Sequence, residues 1–344
     1  MQLLLVEKEF LVKMTISDRI LEWFLSGDPW IKYRVNKMIR HLPSDHPELL
    51  DSHKELISHQ GVIQLIEGIM DWPGPPIASH KSARHPMHIL SFLVDLGIQA
   101  DDRGIDQLVN KILSHQSSQG PFQMLSNVSP TYGGSGKDEF AWALCDAPLV
   151  VYSLVKLGYS HNPQVQSAID YLVGLVRENG WPCAVSPELG NWRGPGRKND
   201  PCPYATLVML KLLAELPQYH NSDAVKIGAH TLLSLWQNSM TIHPYIFYMG
   251  DDFRKLKAPL VWYDILHVTD VLSRFSWLKS DPILNDMLKI VLAKADSNGL
   301  FVPESVYMSW KDWDFGQKKE PSRYLTLRIH EIIDRMNGNF QHII

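Results

Sequence analysis

The chain is poor in the features that would place it in several large protein classes. Its three cysteines are too few, and odd in number, for a disulfide framework. They are expected to be reduced thiols, available to pack or to bind a metal. No apolar run approaches the ~20 residues needed to cross a bilayer, so no transmembrane segment is expected. Positive charge is not in excess: 33 Lys and Arg stand against 37 Asp and Glu, a net charge of −4. That balance offers no global field for nucleic acid. The opening stretch, Met1 to Glu9, has no basic segment before its apolar residues, and charges interrupt those residues. It is a poor signal peptide, which suggests a cytoplasmic protein. Gly133-Gly134-Ser135-Gly136 lacks the Gly-Lys-Ser/Thr of a phosphate loop and is read as a flexible connection.

What the chain does have is a repeat. One turn recurs roughly every 60 residues. Its copies are His59-Gln60-Gly61, Ser118-Gln119-Gly120-Pro121-Phe122, Glu178-Asn179-Gly180-Trp181-Pro182, Gln237-Asn238-Ser239-Met240 and Ser297-Asn298-Gly299-Leu300-Phe301. A second marker keeps the same interval: Leu93-Val94-Asp95-Leu96-Gly97, Val155-Lys156-Leu157-Gly158 and Leu213-Ala214-Glu215-Leu216-Pro217. An interval of that length holds a helix pair and a loop, and repeats that share a core form one body.

Between the markers the pattern is helical. Segments 86–96, 147–157, 203–216, 260–275 and 322–336 are apolar on most sides, as buried inner helices should be. Segments 102–115, 163–178, 222–237 and 282–296 are more polar and read as outer helices, with Asp101, Asn162, Ser222 and Asp281 as their N-caps. Pro86, Pro148, Pro203, Pro259 and Pro321 are placed in the first turns of the inner helices, where a missing N–H has no cost. Residues 30–42 and 47–70 add a front pair, and 17–25 is expected to pair with 322–336 and close a ring. The expected architecture is all-α: an α/α toroid of about six inner and six outer helices, spanning 17–344 as a single domain after an N-terminal extension at 1–16. Every long connection falls on one face.

The repeat, the glycine-aromatic turn and the loop-rich face resemble the superfamily of squalene cyclases and protein prenyltransferase β-subunits. Glu178-Asn179-Gly180-Trp181 echoes its Gln-Trp repeat. The Asp-x-Asp-Asp cluster of the squalene-hopene cyclases is absent, which counts against protonation-initiated cyclisation, and Asp251-Asp252 lacks its spacing. The resemblance implies an isoprenoid or lipid-like substrate in a central cavity. It also implies zinc held by an adjacent Asp and Cys on one inner helix and a His on a later one, to which Cys145-Asp146 and His267 are similar in reversed order.

Counting back from the second marker places His85, Cys145, Tyr204 and Asp264 at one height on successive inner helices, with Tyr324 as a fifth. Packing alone would favour apolar residues there. Cys145, Cys183 and Cys202 become neighbours in such a ring. Together with His267, or with Asp146 or Asp264, they form a candidate Zn²⁺ set; the plain alternative is that they pack as small apolar groups. The loops carry Lys81, Arg84, Arg197, Lys198, Lys255 and Lys319, which suit a diphosphate or another anion or are simply surface charge. Trp262 and Tyr263 are candidate walls for an apolar substrate. Asp264 and His267 are the candidates for proton transfer, with Asp146 beside them. The leading expectation is a prenyltransferase- or terpenoid cyclase-like enzyme acting on an isoprenoid or lipid-like substrate, with Zn²⁺ as its candidate cofactor. The rivals are an (α/α)6 glycan hydrolase or lyase, with Asp146 and Asp264 as its carboxylate pair, and a non-catalytic module that binds a peptide or lipid.

Overall fold

A computed structural model describes residues 16–77, 79–194, 196–244 and 247–337. The expected extension at 1–16 lies almost wholly outside the described residues. Among the latter are fourteen α-helices. In chain order these are α1 Asp18–Leu25, α2 Pro29–Met38, α3 Pro47–Ser58, α4 Gln60–Glu67, α5 Pro86–Leu96, α6 Ile105–Ser114 and α7 Ala147–Lys156. They continue as α8 Pro163–Gly174, α9 Pro203–Leu213, α10 Asp223–Gln237, α11 Asp251–Arg254, α12 Ile265–Leu272, α13 Pro282–Leu292 and α14 Arg323–Asn337. No helix among them is long and apolar enough to cross a membrane.

Burial separates two kinds of helix. Every residue of α5, α9 and α12 is buried. In α8 only Val165, Ala168, Ile169 and Leu172 are buried, the single stripe that helical spacing puts on one face. Helix α6 shows the same stripe with Ile105, Leu108, Val109 and Ile112. At about 1.5–3 kcal/mol for each large apolar side chain taken out of water, these faces supply the main favourable contribution to folding.

The chain forms two compact units. One takes residues up to His59, Asp251–Leu260 and Asp264 onward. In it the first helices meet the last: α14 packs on α2, and Arg323 Nε donates to the Trp23 carbonyl at 2.9 Å. The expected pairing of the first and last helical segments is present. The other unit takes Gln60–Gly250 and Val261–Tyr263. There α5, α7 and α9 pack in succession, with α8 against α7 and α10 against α9.

The recurrent turn has a mechanical role. At Gly180 the backbone is left-handed, φ +103°, and an added Cβ would lie 3.0 Å from the Thr231 side chain. The turn then ties to the next inner helix, because Trp181 N–H donates to Thr206 Oγ1 at 3.1 Å. The same bond recurs two repeats later, from Phe301 N–H to Thr326 Oγ1 at 3.0 Å.

Several local expectations are corrected. Asn162, Ser222 and Asp281 cap their helices, but Asp101 does not: α6 begins at Ile105 after Gly104. Asp102 instead closes the preceding turn, accepting from Gln99 N–H at 2.7 Å. Pro259 lies outside α12, which starts only after Asp264, and Pro321 lies before α14. Segment 47–70 is two helices, broken where His59 turns extended (ψ 128°) and its ring meets Trp30 edge-on at 4.8 Å. Asp251 and Asp252 open a helical turn rather than a loop. Part of the 123–140 connection is a hairpin, β1 Met124–Asn127 paired antiparallel with β2 Asp138–Ala141.

Candidate functional site

Polar residues stand at the starts of several inner helices, and capping accounts for some of them. Asp264, Cys202 and Ser322 each sit just before an inner helix and accept from a backbone N–H three residues on, at 2.9, 3.4 and 3.1 Å. His85 precedes α5 without capping it, and its Nε2 lies 3.0 Å from the Pro75 carbonyl. Burial lowers the basicity of His85, and takes that of His88 down to about 3. Asp146 is buried and committed. Its Oδ1 accepts from Ala143 N–H at 2.9 Å, and its Oδ2 lies 3.4 Å from His80 Nε2. That carboxylate ties the loop before α5 to the start of α7.

The three cysteines are brought together within the second unit. Residues 181–186 run between two stretches. Leu144 N–H donates to the Ala184 carbonyl at 2.9 Å, Ser186 N–H to the Trp142 carbonyl at 2.8 Å and Cys202 N–H to the Trp181 carbonyl at 2.7 Å. These bonds set Cys145, Cys183 and Cys202 side by side. The nearness of Cys202, ahead of burial, raises the Cys145 thiol well above the ordinary range. Cys145 in turn lowers Cys202 against its burial, with help from the N–H groups of Ala205 and Tyr204. Burial, then the nearby Cys202, pushes Cys183 up to about 11. Gly194 N–H donates to Cys183 Sγ at 3.2 Å. Among the described residues no group of three or more His, Cys, Asp or Glu is placed to hold a metal ion, so no chemical step is routed through zinc.

Beside the cysteines stands an aromatic group. The Tyr204 and Trp262 rings are 4.3 Å apart, Phe247 stacks on Trp262 at 5.5 Å, and Phe247 meets Tyr263 edge-on at 5.3 Å. Tyr204 is fixed by its hydroxyl, which donates to the Val261 carbonyl at 2.8 Å. Burial raises the Tyr263 phenol far above its ordinary value. Lys81 holds its ammonium 5.1 Å from the Trp262 ring. Trp262 and Phe247 remain half-buried, while Tyr204 and Tyr263 are buried.

In the first unit the notable group is Asp264, only 1% exposed. Oδ1 accepts the His267 N–H at 2.9 Å, while Oδ2 is buried with no partner. Burial raises this carboxyl to about 7, with the His267 N–H and the Lys257 charge working the other way. His267 is fully buried in the first turn of α12. Tyr324 is buried on α14, its ring 5.0 Å from Phe315, and its N–H donates to Asp314 at 3.0 Å.

The loop cations differ in their surroundings. Lys255 pairs with Asp252 at 3.6 Å, and Lys257 pairs with the same carboxylate at 2.9 Å. Arg84 is half-buried, while Arg197, Lys198 and Lys319 are exposed.

Two buried ion networks were not foreseen. On α5, α7 and α9, Lys211 Nζ lies 3.2 Å from Asp95 and 2.9 Å from Ser91 Oγ, over the Tyr152 ring at 4.5 Å, while the Tyr152 hydroxyl donates to Asp95. Tyr152 is thus committed to this cluster. On α2, α12 and α14, Arg34 and Arg328 grip Glu331 at 2.7 and 2.8 Å, and Arg328 and Arg335 each reach Asp270 at 2.8 Å. Burial opposes ionisation of Asp270, but Arg274, Arg328 and Arg335 together hold it well below the carboxylate range. Nothing local in the sequence marks these pairings, because the partners come from distant helices.

No protein-family profile matches the chain, and no curated protein matches it in sequence. Among solved structures it is similar to the type II terpene cyclase MstE from Scytonema, at 12% identity and TM-score 0.41, over 91% of this chain and 87% of that one. A variant of that enzyme in complex with geranylgeranyl dihydroxybenzoate, its substrate, aligns at 12% identity and TM-score 0.40, covering 91% and 89%. A protein from Actinoplanes aligns at 11% identity and TM-score 0.39, covering 91% and 90%. Likeness at this level carries no functional argument.

Proposed function

We propose that the chain is a terpenoid cyclase-like enzyme in which Asp264 donates a proton to an isoprenoid or similar lipid-like substrate. The carrying observation is the Asp264 carboxyl: buried, held near neutrality in its acid form, one oxygen fixed by His267 N–H and the other without a partner. A carboxylic acid kept neutral by an apolar site at working pH is suited to general acid catalysis. After donation, the carboxylate left behind is stabilised by the His267 N–H, the first turn of α12 and the Lys257 charge. The missing Asp-x-Asp-Asp motif spoke against such chemistry, and a single acid at a helix cap supplies the same function from another place.

Within the second unit, the half-buried rings of Trp262 and Phe247 are of a kind that attracts both hydrocarbon and developing positive charge. Asp146, with both oxygens engaged, does not supply the second carboxylate that a glycan hydrolase requires. The test is turnover of prenyl alcohols, diphosphates and prenylated aromatic acids, with products resolved by gas chromatography and mass spectrometry. Asp264→Asn is expected to abolish product by at least ~100-fold while leaving the fold intact. An Asp264→Asn variant as active as the parent chain would remove the proposal.

A further inference from the structure

We propose that Asp314 is the base that ends the reaction Asp264 begins, taking a proton from the last carbocation and leaving an alkene. Asp314 has this role only where Asp264 is the proton donor described above. Both carboxyls belong to the first unit, where α12 packs on α14. Helix α13 turns back after α12 across a short link, and just beyond its end Phe301 N–H reaches Thr326 in the first turn of α14. The starts of α12 and α14 therefore lie at one end. Their heights match as well. Arg328 reaches Asp270 at 2.8 Å, and Arg328 follows Ser322 by the same six residues by which Asp270 follows Asp264. Packed helices have axes about 8–10 Å apart, so this register sets the two helix starts side by side at about that spacing. Ser322 holds Asp314 at the start of α14, its hydroxyl donating to Asp314 Oδ2 at 2.8 Å.

The two carboxyls differ in how they are held. Asp264 is held through the His267 N–H. Asp314 Oδ2 accepts from both the Ser322 hydroxyl and the Tyr324 N–H, the latter at 3.0 Å, and such donors favour the charged form. Asp314 Oδ1 is buried with no partner, which leaves it open to a proton. Trp313 and Phe315, the neighbours of Asp314 in sequence, stack at 5.8 Å, with Trp30 4.5 Å from Trp313 and Tyr324 5.0 Å from Phe315. Rings of this kind attract a cationic hydrocarbon centre. In the first step the Asp264 O–H proton adds to an alkene carbon of the substrate, whose π electrons form the new C–H bond and leave a carbocation. Ring closure moves the cation along the substrate. Asp314 Oδ1 then takes a proton from the carbon next to the cation, and the electrons of that C–H bond become the new double bond. The product is an isomer of the substrate. Asp314 returns its proton to solvent, and Asp264 takes one up.

The experiment turns over a prenyl substrate with the full chain in water enriched in heavy oxygen and resolves the products by gas chromatography and mass spectrometry. The parent chain is expected to give mainly an unlabelled cyclic alkene. Asparagine keeps a carbonyl to accept from Ser322 and Tyr324 but takes no proton. Asp314→Asn is therefore expected to lower alkene formation at least ~10-fold and to divert product to a labelled alcohol, as water captures the cation. Asp314→Glu keeps a base at a shifted place and is expected to give an alkene with its double bond moved, which decides the matter if Asp314→Asn does not fold. A parent chain that forms no product would remove Asp264 as donor, and Asp314 with it. Three results would overturn the role of Asp314 alone: an unchanged alkene share in Asp314→Asn, an unchanged double bond in Asp314→Glu, or a labelled alcohol as the parent chain's main product.

Discussion

Replacing Asp264 by asparagine tests its protonation state through stability, with no substrate required. The carboxyl titrates near 7 in the folded chain against an ordinary value of 3.8. Since the folded value is the higher one, the unfolded chain releases its proton first as pH rises. The stability of the neutral carboxyl is therefore full below the unfolded value and is lost as pH rises through the folded one. About three pH units at 1.36 kcal/mol each gives a loss of on the order of 4 kcal/mol between pH ~4 and pH ~8. Asparagine has the same shape and no charge to titrate. Its carbonyl still accepts from His267 N–H, and its amide replaces the oxygen that has no partner, at a cost that does not change with pH. Other groups titrate alike in both proteins and cancel in the difference. Urea denaturation of the two chains across that range is expected to show stability shifting toward Asp264→Asn by roughly 2–4 kcal/mol as pH rises. A difference that stays flat, or the parent chain gaining on the variant with rising pH, would mean that Asp264 is ionised in the fold.

Lys211→Met leaves Asp95 buried without its cation and is expected to cost ~3–5 kcal/mol by the same denaturation assay; adding Asp95→Asn should recover much of that loss. Thr206→Val removes the acceptor of the Trp181 N–H and is expected to destabilise the chain by ~1–3 kcal/mol, read as a lowered urea midpoint. If the paired bond at Thr326 plays the same part, Thr326→Val costs a similar amount.

The recurrent elements were legible because their causes are local. A glycine that must take positive φ, as Gly180 does, marks its turn in the sequence, and helices buried on every side, like α5 and α9, read as near-continuous apolar runs. The ion networks were hidden because their partners are distant. Lys211 sits in the last turn of its helix, where a lysine is ordinary, and only the arrival of Asp95 from α5 explains it. Arg34 and Glu331 are 297 residues apart and identify each other only in the fold. The helix boundary at Asp264 was missed for the opposite reason: Pro259 signalled a start that the chain delays by five residues.

The most direct measurement of proton donation by Asp264 is turnover of a prenyl substrate in heavy water, followed by mass analysis of the product. One deuterium on a product carbon is expected with the parent chain, and no labelled product with Asp264→Asn. A product that carries no deuterium, or equal labelling by both chains, would contradict Asp264 as the donor.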